Sequence, residues 1–126
     1  MILYLDTVEH NRVMVAVIGK NRVVRVTKQS DYDLSKNFLS LIQDALKKAK
    51  IKIVDLEAIA VVTGPGLFSR LRTSIVVANA LAYALGLKVI PLSVKDKLNY
   101  ALLVSRKRLA QVIPKYGKPP NITRST

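Results

Sequence analysis

An α/β domain, with a mixed sheet and helices on its faces, is the fold class this sequence predicts. Three observations carry it. The first is the opening order: Ile2–Leu5, Arg12–Ile18 and Arg22–Thr27 are short apolar or β-branched runs separated by turn residues, the mark of an antiparallel meander. The second is a change of hydrophobic period. Leu34–Lys50 repeats as an amphipathic helix, and Ala58–Val62 returns to a short strand-like run. The third is Val61–Leu87, VVTGPGLFSRLRTSIVVANALAYALGL, which reads as the end of a buried strand, a glycine-rich turn and one long apolar helix. A meander followed by β-α units, in the order β-β-β-α-β-α-β, gives a mixed sheet covered by helices.

Taken in order, Ile2–Leu5 is a buried strand ending at Asp6-Thr7, and Gly19-Lys20-Asn21 is the hairpin turn between the next two strands. Lys28–Asp33 is polar, with Asp33 as the N-cap of the first helix. In that helix Leu34, Phe38, Leu41, Ile42, Ala45 and Ala49 form one stripe, widened on one flank by Leu39 and Leu46. The apolar arc covers about 160° at 100° per residue, more than one contact needs. Either the helix is set deeply into its own domain, or Leu39 and Leu46 are left for a partner.

Gly64-Pro65-Gly66 permits a tight backbone course after the fourth strand. Ser69–Leu85 then contains neither glycine nor proline. Leu71, Ile75, Ala78, Ala82 and Leu85 share one face, yet Val77, Ala80 and Ala84 lie roughly opposite, beside Thr73. A helix apolar all round is covered on both sides. One cover is the sheet; the other is the first helix or a second chain. Leu87–Pro91 reads as a fifth strand stopped by Pro91, and Ser93 caps a last helix over about Val94–Val104. After Arg106 the hydrophobic period fades, and Pro114, Gly117, Pro119 and Pro120 argue for an extended segment. The expected division is a domain over 1–104 and a basic tail over 105–126.

The 126 residues suit one domain, and a hydrophobic fraction of 50% is ample for a core. Without cysteine there is no disulfide framework or thiolate metal site, which fits a cytoplasmic protein. MILYLDTVEH has no basic region of the secretory kind, and the longest apolar stretch is shorter than the ~20 residues a membrane span needs. The net charge of +13 is uneven: all eight acidic residues lie at or before Asp96, and seven Lys or Arg follow from Lys97 onward. That end is either a solubilising tail or a contact for RNA phosphates, with Arg106, Lys107, Arg108, Lys115, Lys118 and Arg124 as candidates. Nucleophilic triads and metal clusters fail by inventory. The single histidine is His10, in a polar turn, and Ser69 and Ser74 have no base nearby in sequence.

Asp6 closing the first strand and Gly64-Pro65-Gly66 after the fourth resemble the ribonuclease-H-like half domain of the actin-like ATPase superfamily. Within it, the sequence resembles the bacterial tRNA threonylcarbamoyladenosine biosynthesis protein TsaB (YeaZ) family. That family opens with a strand ending in Asp-Thr-Ser, where this chain has Asp6-Thr7-Val8. Its signature is close to G-P-G-S-F-T-G-L-R-I-G, where this chain reads Gly64-Pro65-Gly66-Leu67-Phe68-Ser69-Arg70-Leu71-Arg72-Thr73-Ser74. The resemblance covers about residues 1–98, and the tail segment YGKPPNIT also resembles tails of the family. Arg70 and Ser74 stand where the family has glycine, and Leu34-Ser35 replaces a His-Ser. About 30 residues of basic tail replace the second half domain, so a minimal, N-terminal-domain version of the family is expected.

The resemblance implies a non-catalytic subunit without cofactor or metal. It would serve N6-threonylcarbamoyladenosine (t6A37) modification of tRNA by binding and activating the TsaD threonylcarbamoyltransferase through its first two helices. On this chain the interface would hold Leu34, Phe38, Leu39, Ile42, Leu46, Arg72, Thr73, Val76, Val77, Ala80 and Ala84. The substitution pair Ala80→Arg with Leu46→Glu is expected to abolish pairing and leave the fold intact. The resemblance also implies a TsaE-type ATPase as a further partner and self-association through the same face when TsaD is missing. Asp6, Thr7, Gly64, Pro65 and Gly66 are the loop positions nearest a nucleotide in the superfamily. One half domain does not close a nucleotide cleft, and Arg70 and Leu67 crowd the phosphate loop, so autonomous ATP hydrolysis is not expected. A two-metal nuclease needs several carboxylates, and Asp6 has no second ligand at the end of the fourth strand, Thr63-Gly64. An RNA-binding module without an enzyme partner is the alternative class.

Overall fold

The structure, a computed structural model, describes residues 1–8, 12–29, 34–64, 68–96 and 99–112, with side chains from residue 38 in the first helix and from residue 71 in the second. Five strands form one sheet: β1 (Ile2–Asp6), β2 (Arg12–Ile18), β3 (Val23–Gln29), β4 (Ala58–Val62) and β5 (Val89–Leu92). Their order is β3-β2-β1-β4-β5. The meander is antiparallel, with Leu3 opposite Val17 and Val15 opposite Val26. β4 and β5 add in parallel, with Leu5 beside Val61 and Ala60 beside Ile90. Gly19 N–H donates to the Arg22 carbonyl at 2.9 Å, closing the expected hairpin.

Two helices cover one face. α1 (Leu34–Ala49) packs on β2 and β3, and α2 (Phe68–Leu85) on β4 with contacts to β1 and β5. Leu3, Leu5, Val15, Ile59 and Val61 meet Phe38, Ile42, Leu71, Ile75 and Ala78 between the layers. The other sheet face buries Ile2, Tyr4, Ala60, Val62 and Ile90, closed in part by Leu103 of the short α3 (Tyr100–Ser105). With apolar neighbours on both faces, the inner strands read as continuous apolar runs. Both long helices end in a reverse turn of the Schellman kind. Ile51 N–H reaches the Leu46 carbonyl at 3.1 Å and Leu87 N–H the Ala82 carbonyl at 2.8 Å. Gly86 takes the left-handed position at φ 69°, and Lys50 takes the equivalent one after α1 at φ 58° despite its side chain.

Four expectations change. Pro91 does not stop β5: it pairs with Val61, and the strand runs on to Leu92, whose carbonyl accepts Thr63 N–H at 2.8 Å. β5 is an edge strand, where a missing N–H is tolerated. Ser93 does not cap a helix; Asp96 folds back so that its carboxylate accepts Ser93 N–H at 2.8 Å, and α3 starts later, with Asn99 accepting Leu102 N–H at 3.3 Å. Residues placed in the tail by composition remain packed through Val112. Leu109 pairs with Val89 beyond the β5 edge, Val112 is buried, and Asn79 holds the Val112 backbone N–H and carbonyl at 3.0 and 3.1 Å. Finally, Leu46 is only 8% exposed and belongs to the core, so Leu46→Glu would place a carboxylate among apolar side chains and is expected to destabilise the fold. The Asp33 cap lies outside the described residues.

Candidate partner-binding face

On α2 the sheet-facing stripe is Leu71, Ser74, Ile75, Ala78 and Ala82, all buried. At 100° per residue, Arg72, Val76, Ala80 and Tyr83 form a row on the far side. All four are exposed, Val76 at 56% and Tyr83 at 90%. Asn79 flanks this row toward the β5 edge, where it holds Val112. The other flank, Thr73, Val77 and Ala84, turns toward α1. Val77 is half-buried against the shared core and Ala84 is exposed.

On α1, Lys48 donates to the Arg25 carbonyl of β3 at 3.2 Å, so its flank faces β3. Leu39 and Leu46 lie on the opposite flank by the helical wheel, toward α2. Leu39 is 56% exposed, while Phe38 (1%), Ile42 (3%) and Leu46 are used in the chain's own core. Of the α1 positions read from sequence, Leu39 is thus the one offered to solvent among residues with described side chains; the side chain of Leu34 lies outside them. The α2 positions Arg72, Val76, Ala80 and Ala84 are exposed, and Thr73 and Val77 are partly so. Tyr83 was missed, although its place seven residues after Val76 and three after Ala80 puts it on that row. Other exposed apolar residues, Val54, Val94 and Val104, lie outside the two long helices, as ordinary surface hydrophobics do.

The loop positions meet at the carboxyl ends of β1 and β4, which are parallel neighbours. There Asp6 is a turn residue: its carboxylate accepts Val8 N–H at 3.0 Å and the Tyr4 hydroxyl at 3.3 Å. Burial first, and the Asp6 carboxylate second, push the Tyr4 hydroxyl above its ordinary pKa. Thr7 is fully buried and donates to the Ser74 hydroxyl at 3.0 Å, tying the end of β1 to α2. Ser74, which stands where the resembling family has glycine, passes the bond to the Leu71 carbonyl at 3.0 Å. Gly64 has φ 122°, a course that favours glycine; Pro65 and Gly66 lie outside the described residues. No group of three His, Asp or Glu side chains able to hold a metal occurs among the described residues. An open hollow of about 420 Å³ beside this loop is lined by Thr63, Leu92, Asp96 and Arg106, and Arg106 is bound to Asp96.

Two of the candidate RNA-contacting cations are therefore engaged within the chain: Arg106 on Asp96, and Arg108 3.7 Å from Glu57. Lys107 is exposed, and Lys115, Lys118 and Arg124 lie outside the described residues. Among the described residues no helix is long and apolar enough to cross a membrane.

The family described as "TsaD: tRNA N6-adenosine threonylcarbamoyltransferase" matches residues 26–112. The chain belongs to this family. Among solved structures, YeaZ from Pseudomonas aeruginosa superposes with a TM-score of 0.69 and 29% identity, over 73% of this chain and 43% of that one. A second structure, described as similar to peptidase YeaZ from the same organism, gives 0.69 and 29% over 73% and 42%. The architecture is thus the ribonuclease-H-like half domain of the actin-like ATPase superfamily, and the likeness is to YeaZ (TsaB). Curated tRNA N6-adenosine threonylcarbamoyltransferases match more locally. The one from Ligilactobacillus salivarius is 44% identical over 52 residues, and that from Shouchella clausii 45% over 51. This chain spans less than half of the YeaZ structure and covers 15% of those transferases.

Proposed function

We propose that this protein is a non-catalytic accessory subunit in threonylcarbamoyladenosine modification of tRNA, which binds and orders a TsaD-type transferase. The outer faces of α1 and α2 are the docking surface. The observation that carries this reading is the exposed row on α2, where Val76 and Tyr83 stand in water on a helix whose other side is core. With Ala80, Ala84, Val77 and Leu39 around them, a partner helix can approach closely over small side chains and bury the aromatic ring. A standard interface removes ~800 Å² per partner, and two adjoining helical faces are of that order.

The TsaD-family match and the YeaZ-like fold supply the context. The YeaZ likeness extends over 73% of the chain and the TsaD-family match over residues 26–112, so both relate this chain to the same modification system. A TsaE-type ATPase joins the assembly in this reading, and the isolated chain self-associates through the same face until the transferase displaces the second copy.

The test is co-purification and size-exclusion chromatography with the TsaD of the same organism, followed by reconstituted tRNA modification. A stable 1:1 complex that raises the modification rate supports the reading. Modification by this chain alone would assign it catalysis instead, and a mixture that elutes as two separate species would end the scaffold proposal.

A further inference from the structure

The net charge of +13 is not confined to the C-terminal segment. Two hydrogen bonds join the end of α1 to β3: the Arg22 guanidinium donates to the Ala49 carbonyl, and the Lys48 ammonium to the Arg25 carbonyl. They bring Lys20 and Arg22 of the hairpin together with Lys47, Lys48 and Lys50 of the helix end, and all five are exposed. Lys28, also exposed, continues the row along the edge strand. At ~3.3 Å per residue, Arg22 to Lys28 covers ~20 Å, the reach of several phosphates in a nucleic-acid strand. Asp44, one helical turn before Lys48, is the acidic residue in this row among the described residues.

We infer that this hairpin–helix stripe is a contact surface for the phosphate backbone of RNA. Arg22 and Lys48 each carry more donors than the single carbonyl bond each makes here uses, so both can also hold a phosphate oxygen. Asn21 is exposed at the hairpin tip and suits phosphate and ribose oxygens. An open hollow of about 850 Å³ continues the stripe at the hairpin tip, lined by Lys20, Asn21, Arg22, Asn99 and Tyr100. Glu57, which accepts from the Tyr100 hydroxyl of that lining, is also bound by the Met1 ammonium and Arg108. A membrane surface fits less well, because lipid-binding helices turn an apolar face outward; here α1 gives its apolar face to the core, and the large exposed apolar side chain that meets this surface among the described residues is Val104, at the wall of the hollow. The stripe is on the β3 flank of α1 and the proposed docking face is on the α2 flank, so RNA and protein can be held together. The inference does not depend on the docking proposal.

The test is fluorescence anisotropy of the full chain with an unmodified tRNA transcript, titrated from about 50 to 200 mM salt. Lys20→Ala, Lys28→Ala and Lys47→Ala are combined in one variant, and Lys115→Ala, Lys118→Ala and Arg124→Ala in a second. The first set is expected to lower the slope of log affinity against log salt by about 2–3 and to weaken low-salt binding at least ~10-fold. The melting temperature of this variant checks its fold. An unchanged slope in the first variant, with the loss found in the second, overturns the proposal. So does a wild-type chain that ignores tRNA at low salt, or that binds phosphatidylglycerol vesicles in its place.

Discussion

Replacing Val76 and Tyr83 together by glutamate separates the docking face from the fold. Both side chains are more than half in water, so the domain loses little when they change. Exposed substitutions lie within about 0.5 kcal/mol, and glutamate is at least as good a helix former as valine or tyrosine. The melting temperature is therefore expected to move by no more than ~4 °C. In the complex the balance differs. A fully buried apolar side chain contributes ~1.5–3 kcal/mol, and central aromatic anchors cost 2 kcal/mol or more on truncation, about 30-fold in affinity. Two uncompensated carboxylates at the same site add a desolvation cost, so a total loss near 4 kcal/mol, about 1,000-fold, is expected. Calorimetric titration of the variant into TsaD, beside thermal melts of each chain alone, reads both quantities. Leu46→Glu is the contrast: it should unfold the domain, because Leu46 is core. A folded Val76→Glu/Tyr83→Glu variant that keeps wild-type affinity would refute the assignment of this face.

Three more outcomes follow from the packing. Phe38→Ala leaves a void in the inter-layer core and should cost ~3–5 kcal/mol, read by urea denaturation. Asn79→Ala removes both bonds to the Val112 backbone and should cost ~1–2 kcal/mol; faster amide exchange at Leu109 and Val112, with strand protection unchanged, would report it. For Glu57, burial pushes the carboxyl up, but the hydrogen bonds from the Met1 ammonium and Tyr100 and the nearby positive charges outweigh it, so its pKa falls below 4.5. A depressed carboxylate stabilises above its unfolded pKa and ceases to as pH falls through the folded value. The melting-temperature gap between wild type and Glu57→Gln should thus be constant near neutrality and close as the pH drops below the mid-fours; a gap that widens there would contradict the assignment.

The strands and long helices were legible because their signals are local. Ile2–Leu5 and Ala58–Val62 are short, apolar and bounded by turn residues, and the 3.6-residue period of Leu34–Lys50 is unbroken. Pro91, Leu109 and Val112 were misread because distant residues set the outcome, whereas the Ser93 misreading was local, since Asp96 three residues on accepts its N–H. Pro91 remains in a strand because β5 is at the sheet edge, and Leu109 and Val112 stay ordered because Val89 and Asn79 hold them. No sequence window contains both members of such a pair.

The docking face divides along the same line. Periodicity alone showed that α2 is apolar on more sides than one sheet can cover, and that both Leu39 and Leu46 widen the stripe of α1. Which of those residues remain in water was a matter of how the two helices sit on the sheet. Burial of Phe38, Leu41, Ile42 and Ala45 sets α1 with Lys48 toward β3 and the Leu39–Leu46 flank toward α2, where the core covers Leu46 and leaves Leu39 exposed. The same packing joins Arg22 to Ala49 across 27 residues of chain, so the cations of the hairpin meet the Lys47, Lys48 and Lys50 run that the sequence shows. Hydrophobic period is written along the chain, and it specifies secondary structure and buried stripes. Exposure and charge clustering arise from three-dimensional neighbours, which the tertiary fold alone assigns.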